Sequence, residues 1–238
     1  MAGAPEHVSA CAPSGPGVEV VTLEAGEAPE LVLVFGRPIP PELPAPAVVW
    51  VLDREDAPAA LRPGDRVVAT RPGLPGAWRT MPLPVGDELF ASARDESAPG
   101  RAVWLTPDCP RRRSYLERFE HSVELVEPPA GAAAAVNLHD SEQPAFEVRA
   151  ARALAAGQLL VSETLAPSFG LEPGIDYLEA RDLTDLFVTV ENAARAPEAY
   201  AAVRARGRRK AEWFRSSRVV QRLVHDLRLE SAAARTAP

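Results

Sequence analysis

The sequence predicts an α/β protein made of two sheets of mainly parallel strands, the first half reduced. Three observations carry this. The stretch Pro144–Glu163 (PAFEVRAARALAAGQLLVSE) reads as a helix, a one-residue stop and a buried strand, which is half of a βαβ unit. Between Val18 and Thr70 lie four short apolar runs, several of them closed by a polar residue or glycine. The connections between those runs are short and proline-rich, whereas a full crossover between parallel strands needs about a dozen residues or more.

In chain order, residues 1–17 are mostly Pro, Gly, Ala and Ser and read as a disordered tail. Strands are expected at Val18–Leu23, Pro29–Gly36 with Leu31–Phe35 continuously apolar, Pro46–Asp53 and Asp65–Thr70, with the look of a Rossmann-like half. One connection holds Pro38, Pro40, Pro41, Pro44 and Pro46. Only Arg54–Leu61, interrupted by Pro58, and the single turn Pro40–Leu43 offer helix between them. A reduced N-terminal α/β domain is therefore expected over 18–91, with the boundary in the polar stretch Ser92–Gly100.

The second domain, 100–230, opens with a strand at Gly100–Thr106. A loop through Pro107–Arg113 leads to a helix at Ser114–Glu120 and a strand at Ser122–Val126. Ala132–His139 is a short strand with a polar tip at Asn137, His139 and Asp140. In an open α/β sheet that tip faces a helix N-terminus, where ligands and anionic groups bind. An order change in the sheet is expected near Asn137, so that the tips at Thr106 and His139 border one crevice.

In the helix that follows, Pro144 suits the first turn, and Phe146, Ala150, Ala153 and Leu154 form its core stripe. Gly157 suits a left-handed cap. Leu159–Val161 does not alternate, as in a strand covered on both faces. Ile175–Leu178 reads as a further strand, and three helical stretches run to about Arg228. The last, Arg215–Leu229, is basic, and 231–238 read as a frayed tail.

At 238 residues, 46% hydrophobic and 25% charged, the chain can bury a core. A formal charge of −7 argues against a general nucleic-acid or anionic-membrane binder. No apolar run reaches the roughly 18–20 residues that span a bilayer. The N-terminus lacks the basic and apolar regions of a signal peptide, and Cys11 and Cys109 form no metal or disulfide pattern, so a reducing cytoplasm is expected. Walker, GxGxxG, HExxH and GxSxG elements are all missing.

Several residues carry chemistry on their own terms. Arg111, Arg112 and Arg113 lie where a strand becomes a helix, and arginine forks grip phosphate with two bonds; the plain alternative is a solvated basic turn balanced by Glu117 and Glu120. Arg149 and Arg152 are i, i+3 neighbours suited to a diphosphate, or else surface residues meeting Glu147. His139 suits ligand orientation or base chemistry against a structural role. Glu163 follows the core strand, where it faces a ribose or caps the chain. Asp53 is a candidate base for an acceptor hydroxyl, against capping the turn from Arg54.

The run VNLHDSEQPAFEVRAARALAAGQLLVSE resembles the C-terminal donor-binding segment of group 1 glycosyltransferases, nearest the spore-maturation CgeB-type branch. The likeness continues through EPGIDYLEARDLTDLFVTVENAARAPEAYAAVRARGRRKAEWF, including the pair Gly207-Arg208, and covers about 132–226. Trp78–Asp87 is similar to the family's interdomain strand. The resemblance implies a GT-B fold, two Rossmann-like domains facing a cleft, with the last helix packing back across the N-terminal half. It further implies a nucleotide-sugar donor, an unidentified acceptor, and no metal or other cofactor. Arg112, Arg113, Asn137, His139, Arg149 and Glu163 are the donor-binding residues it suggests; it names no catalytic residue. Arg149 matches the CgeB-type arginine, but Arg152 stands where many retaining members carry a glutamate. A catalytically inactive, glycosyltransferase-like binding or partner module is thus the alternative.

Overall fold

The computed structural model describes residues 2–3, 32–35, 47–51, 62–91, 102–104, 111, 134–139 and 143–236. The chain divides into two units, Met1–Glu88 with Trp213–Pro238, and Leu89–Glu212.

The first unit holds β1 (Ala2–Gly3), β2 (Val32–Phe35), β3 (Ala47–Val51), β4 (Arg66–Ala69) and β5 (Arg79–Thr80). They form one sheet in sequence order, with every neighbouring pair parallel. Val32, Val34, Ala47, Val49, Val51 and Val67 form a buried cluster, and Trp50 is wholly enclosed. β-Branched residues suit this role because they pack stiffly on a pleated surface covered on both sides. Ala2–Gly3 lies inside the stretch read as a tail, yet pairs with Val34 and Phe35 as an edge strand. Two residues of backbone pairing need no side-chain pattern, so composition gave no sign of it. The expected strand Val18–Leu23 and the connections Gly36–Pro46 and Leu52–Leu61 lie outside the described residues.

The C-terminal helix, Ser216–Thr236, completes this unit and runs through the stretch read as a frayed tail from residue 231. Its start is bound to the chain around Val85, whose N–H donates to Phe214 O at 2.8 Å and whose carbonyl accepts from Ser216 N at 2.8 Å. Buried Asp87 accepts from the Ser217 hydroxyl at 2.7 Å and from the Ser217 N–H at 3.3 Å, satisfying donors at the helix N-terminus. Further along, Glu230 accepts from Trp78 Nε1 at 2.7 Å and pairs with Arg66 at 3.1 Å, and Arg79 pairs with Asp226 at 2.7 Å.

The second unit contains β6 (Ala102–Trp104), β7 (Ala134–Asn137), β8 (Leu159–Ser162) and β9 (Leu178–Glu179), also parallel and in sequence order. Among the described strands no reversal of order occurs at Asn137. The helices, numbered along the chain, are α1 (Glu88–Ala91), α2 (Val148–Ala155), α3 (Leu183–Arg195), α4 (Ala201–Ala211) and α5, the C-terminal helix already described. α2 connects β7 to β8 and buries Ala150, Ala151, Ala153, Leu154 and Ala155. α3 inserts Leu186, Val190 and Ala193 among Ala134, Val136, Leu138, Leu159 and Val161.

α2 ends as expected. Gly157 has φ +73°, its N–H donates to Leu154 O at 2.9 Å, and Gln158 N donates to Ala153 O at 3.0 Å. This is the Schellman pattern, which glycine enters without a Cβ penalty. The helix begins later than expected. Pro144 lies in a non-helical segment, and Glu147 is the N-cap residue, with extended backbone and its carboxylate turned to other partners. The expected strand Ile175–Leu178 is largely a turn. Gly174 has φ +76°, Ile175 and Asp176 donate backbone bonds to Glu172 O, and Ile175 is exposed. The expected helix Ser114–Glu120 and strand Ser122–Val126 lie outside the described residues.

Candidate functional site

β7 and β8 are in register at their carboxyl ends, Asn137 opposite Ser162. Both residues are fully buried, and Asn137 Nδ2 donates to Ser162 Oγ at 3.0 Å, which fixes the orientation of the amide. The amide oxygen is thereby aimed at α2, where it accepts from Arg149 Nε at 3.0 Å. Arg149 also donates through Nε to Glu147 Oε2 at 3.0 Å and through NH2 to Glu147 Oε1. The plain reading of Arg149, a pair with Glu147, is what the structure holds.

Just past the strand, His139 ties the elements together. Its backbone N–H donates to Glu163 Oε2 at 2.7 Å, and its carbonyl accepts from Arg111 at 2.8 Å. The imidazole side chain is only 4% exposed. Its Nε2 lies 2.9 Å from Thr164 O, so that nitrogen carries the proton and donates. Nδ1 faces Glu147 Oε2 at 3.5 Å, too far for a good hydrogen bond. Arg111 grips Glu163 with both terminal nitrogens, NH1 to Oε2 at 2.9 Å and NH2 to Oε1 at 2.5 Å.

Two guanidinium–carboxylate pairs thus flank one buried histidine at the carboxyl ends of β7 and β8. Burial alone pushes the Glu147 carboxyl up, but the hydrogen bonds and charge of Arg149 outweigh it and hold it below the usual glutamate range. Burial opposes ionisation of Glu163 in the same way, and Arg111 with the His139 N–H overcomes it.

Of the residues the sequence singled out, Asn137, His139, Arg149 and Glu163 share this one network. Arg112, Arg113, Asp140 and Asp53 lie outside the described residues. Arg152 is exposed on the far side of the helix from the buried alanines. Arg111 belongs to the arginine triplet expected to grip phosphate but is not among the donor-binding residues that the resemblance suggests. Glu147 enters the sequence reading only as a partner for Arg149 and Arg152, and its place two residues before Arg149 is the available signal. Among the described residues no cluster of three or more His, Cys, Asp or Glu is arranged to hold a metal ion, and no helix is long and apolar enough to cross a membrane.

No protein-family model matches the chain, and no curated protein does. Among solved structures, the chain is similar to sucrose-phosphate synthase from Thermosynechococcus elongatus, with TM-score 0.59 and 12% identity over 88% of this chain and 76% of that one. The fold is of the glycosyltransferase B type. At that identity the likeness concerns the fold alone. Within this glycosyltransferase-type fold, the charged network lies where an open α/β sheet presents side chains to a ligand.

Proposed function

We propose that the chain is a glycosyltransferase-like protein of the CgeB type that takes a nucleotide-sugar donor at the carboxyl ends of β7 and β8, in the cytoplasm. The observation that carries this reading is the convergence of Arg111, Asn137, His139, Arg149 and Glu163 on the ligand side of a parallel sheet in a glycosyltransferase-type fold. In this reading the donor's diphosphate meets Arg111 and Arg149, with Arg112 and Arg113 as the further donor-binding arginines that the resemblance suggests. Fixed donors of this kind stabilise a leaving diphosphate without reorganising during the reaction. Enclosed His139 does not touch the donor; it positions Glu163 through its backbone N–H.

A second reading, a catalytically inactive binding or partner module, is favoured by one observation. Arg152 is exposed where many relatives by resemblance carry a glutamate. Incubating the chain with a panel of nucleotide sugars and following release of the nucleoside diphosphate separates the two readings. Release supports the enzyme; binding of a diphosphate without turnover supports the module. A chain that neither binds nor turns over any of them leaves the donor-site reading without support.

A further inference from the structure

We propose that Glu163 and Glu147 are built-in competitors for the phosphate-binding edges of Arg111 and Arg149, so that an anionic ligand enters by exchanging phosphate for carboxylate. The inference rests on the reading of this network as a donor site.

The geometry is specific. A guanidinium offers paired N–H groups along an edge, and such an edge matches carboxylate and phosphate equally well. Arg111 presents its end-on edge, NH1 and NH2, and both nitrogens are taken by the two oxygens of Glu163. Arg149 presents its side-on edge, Nε and NH2, and both are taken by the two oxygens of Glu147. Neither edge can grip a phosphate in two-point fashion while its carboxylate stays. Both pairs are partly accessible, with side-chain exposures of 22% and 24% for Arg111 and Glu163 and 17% and 19% for Arg149 and Glu147. An anion can therefore reach them.

The four formal charges cancel, so the network does not draw anions by its field. Both carboxyls are held in their ionised form by the contacts just described, so the competition operates at neutral pH. His139 links the two pairs, bonding Glu163 through its backbone N–H and facing Glu147 with Nδ1.

The test is calorimetric titration of inorganic pyrophosphate and of uridine diphosphate into the full chain and into Glu163→Gln and Glu147→Gln. Glutamine keeps the shape and one acceptor oxygen while removing the charge. Each substitution is expected to tighten binding about tenfold at low salt, the scale of one charge-assisted hydrogen bond, with the gain shrinking as salt rises. Melting temperatures recorded alongside identify any variant that fails to fold, and either variant alone carries the test. Unchanged or weaker binding in a folded variant overturns the competition and assigns the pairs to fold stability, while the donor reading stands. Absence of binding to the parent chain and to both folded variants overturns the donor reading and this proposal together.

Discussion

The two sheets share an architecture and differ in where they keep their charge. Both are parallel and run in sequence order. In the first, the ion pairs gather at strand beginnings. Asp65 precedes β4 and accepts from the N–H of Ala47, the first residue of β3, at 2.8 Å, while Arg66 and Arg79 open β4 and β5 and bind the C-terminal helix. In the second, they gather at strand endings, past Asn137 and Ser162. Open α/β sheets bind ligands at the carboxyl ends of strands. The same residue types therefore serve as fasteners in the first unit and as a prospective site in the second. Charge alone does not mark function; its end of the strand does.

The largest effects should be blind to this distinction. Trp50→Ala in β3 and Leu160→Ala in β8 each empty a fully enclosed position. They should cost about 3–5 and 2–5 kcal/mol respectively, read by urea denaturation. A markedly smaller loss for one would mean that its sheet relaxes around the cavity and that the two interiors are not equivalent.

Arg149→Ala should break the comparison most sharply. A ligand that binds only the folded chain adds about 2.7 kcal/mol at a hundredfold excess over its Kd, seen as a rise of a few degrees in melting temperature. The substitution should remove most of that rise for nucleoside diphosphates. Glu230→Ala, in the first unit, should leave the rise intact. A Glu230→Ala chain that lost ligand stabilisation would place function at the wrong end of the strands.

Acid tests both units together. Asp65, Glu147 and Glu163 all have folded pKa values below their ordinary ones of 3.8, 4.5 and 4.5. For Asp65, burial opposes the shift, and the Arg62 side chain and two backbone N–H groups overcome it. A depressed folded pKa contributes stability that is present above the unfolded value and is lost as pH falls through the folded one. The melting temperature should therefore drop on acidification below about pH 4.5, and the drop should be shallower in Glu163→Gln. An unchanged acid slope in that variant would show that Glu163 titrates alike in the folded and unfolded chains.

The smallest effects come from the exposed pairs. Glu230→Ala should cost about 0.5–1 kcal/mol despite its contacts to Arg66 and Trp78, because solvent screens them. Arg152→Ala should fall within about 0.5 kcal/mol by thermal melting and leave diphosphate binding unaltered. A large effect of Arg152 on binding would return it to the site.

Much of this was legible where local chemistry decides. Non-alternating apolar runs located β2, β3, β4 and β8, and Gly157 located the end of α2, because backbone propensity and two-sided burial both leave marks on neighbouring residues. What depended on distant partners was not. Pro144 satisfied a rule for helix starts, yet α2 begins after Glu147, whose carboxylate is held by Arg149. Ile175 has strand chemistry but sits in a turn closed by Glu172 and Asp176. At the site, the residue types were readable and their pairing was not. No sequence rule states that Glu163 meets Arg111 across 52 positions rather than a ribose.

Gly207, within α4, carries a last consequence. A Cβ built there would lie 2.3 Å from Asp176 O and 2.8 Å from Leu154 Cδ2. The carbonyl belongs to the chain backbone and cannot rotate away as a side-chain tip would. Position 207 therefore works as a spacer gauge: it sets how near α4 may lie to α2 and to the turn before β9, and hydrogen is the only substituent of the right size. Its neighbour Arg208 depends on that spacing, donating to the carbonyls of Ala155, Leu89 and Phe90. Were related sequences aligned, an unvarying Gly-Arg pair would invite reading as a ligand signature. Here it would instead record a tolerance in construction, a distance that every working copy must keep.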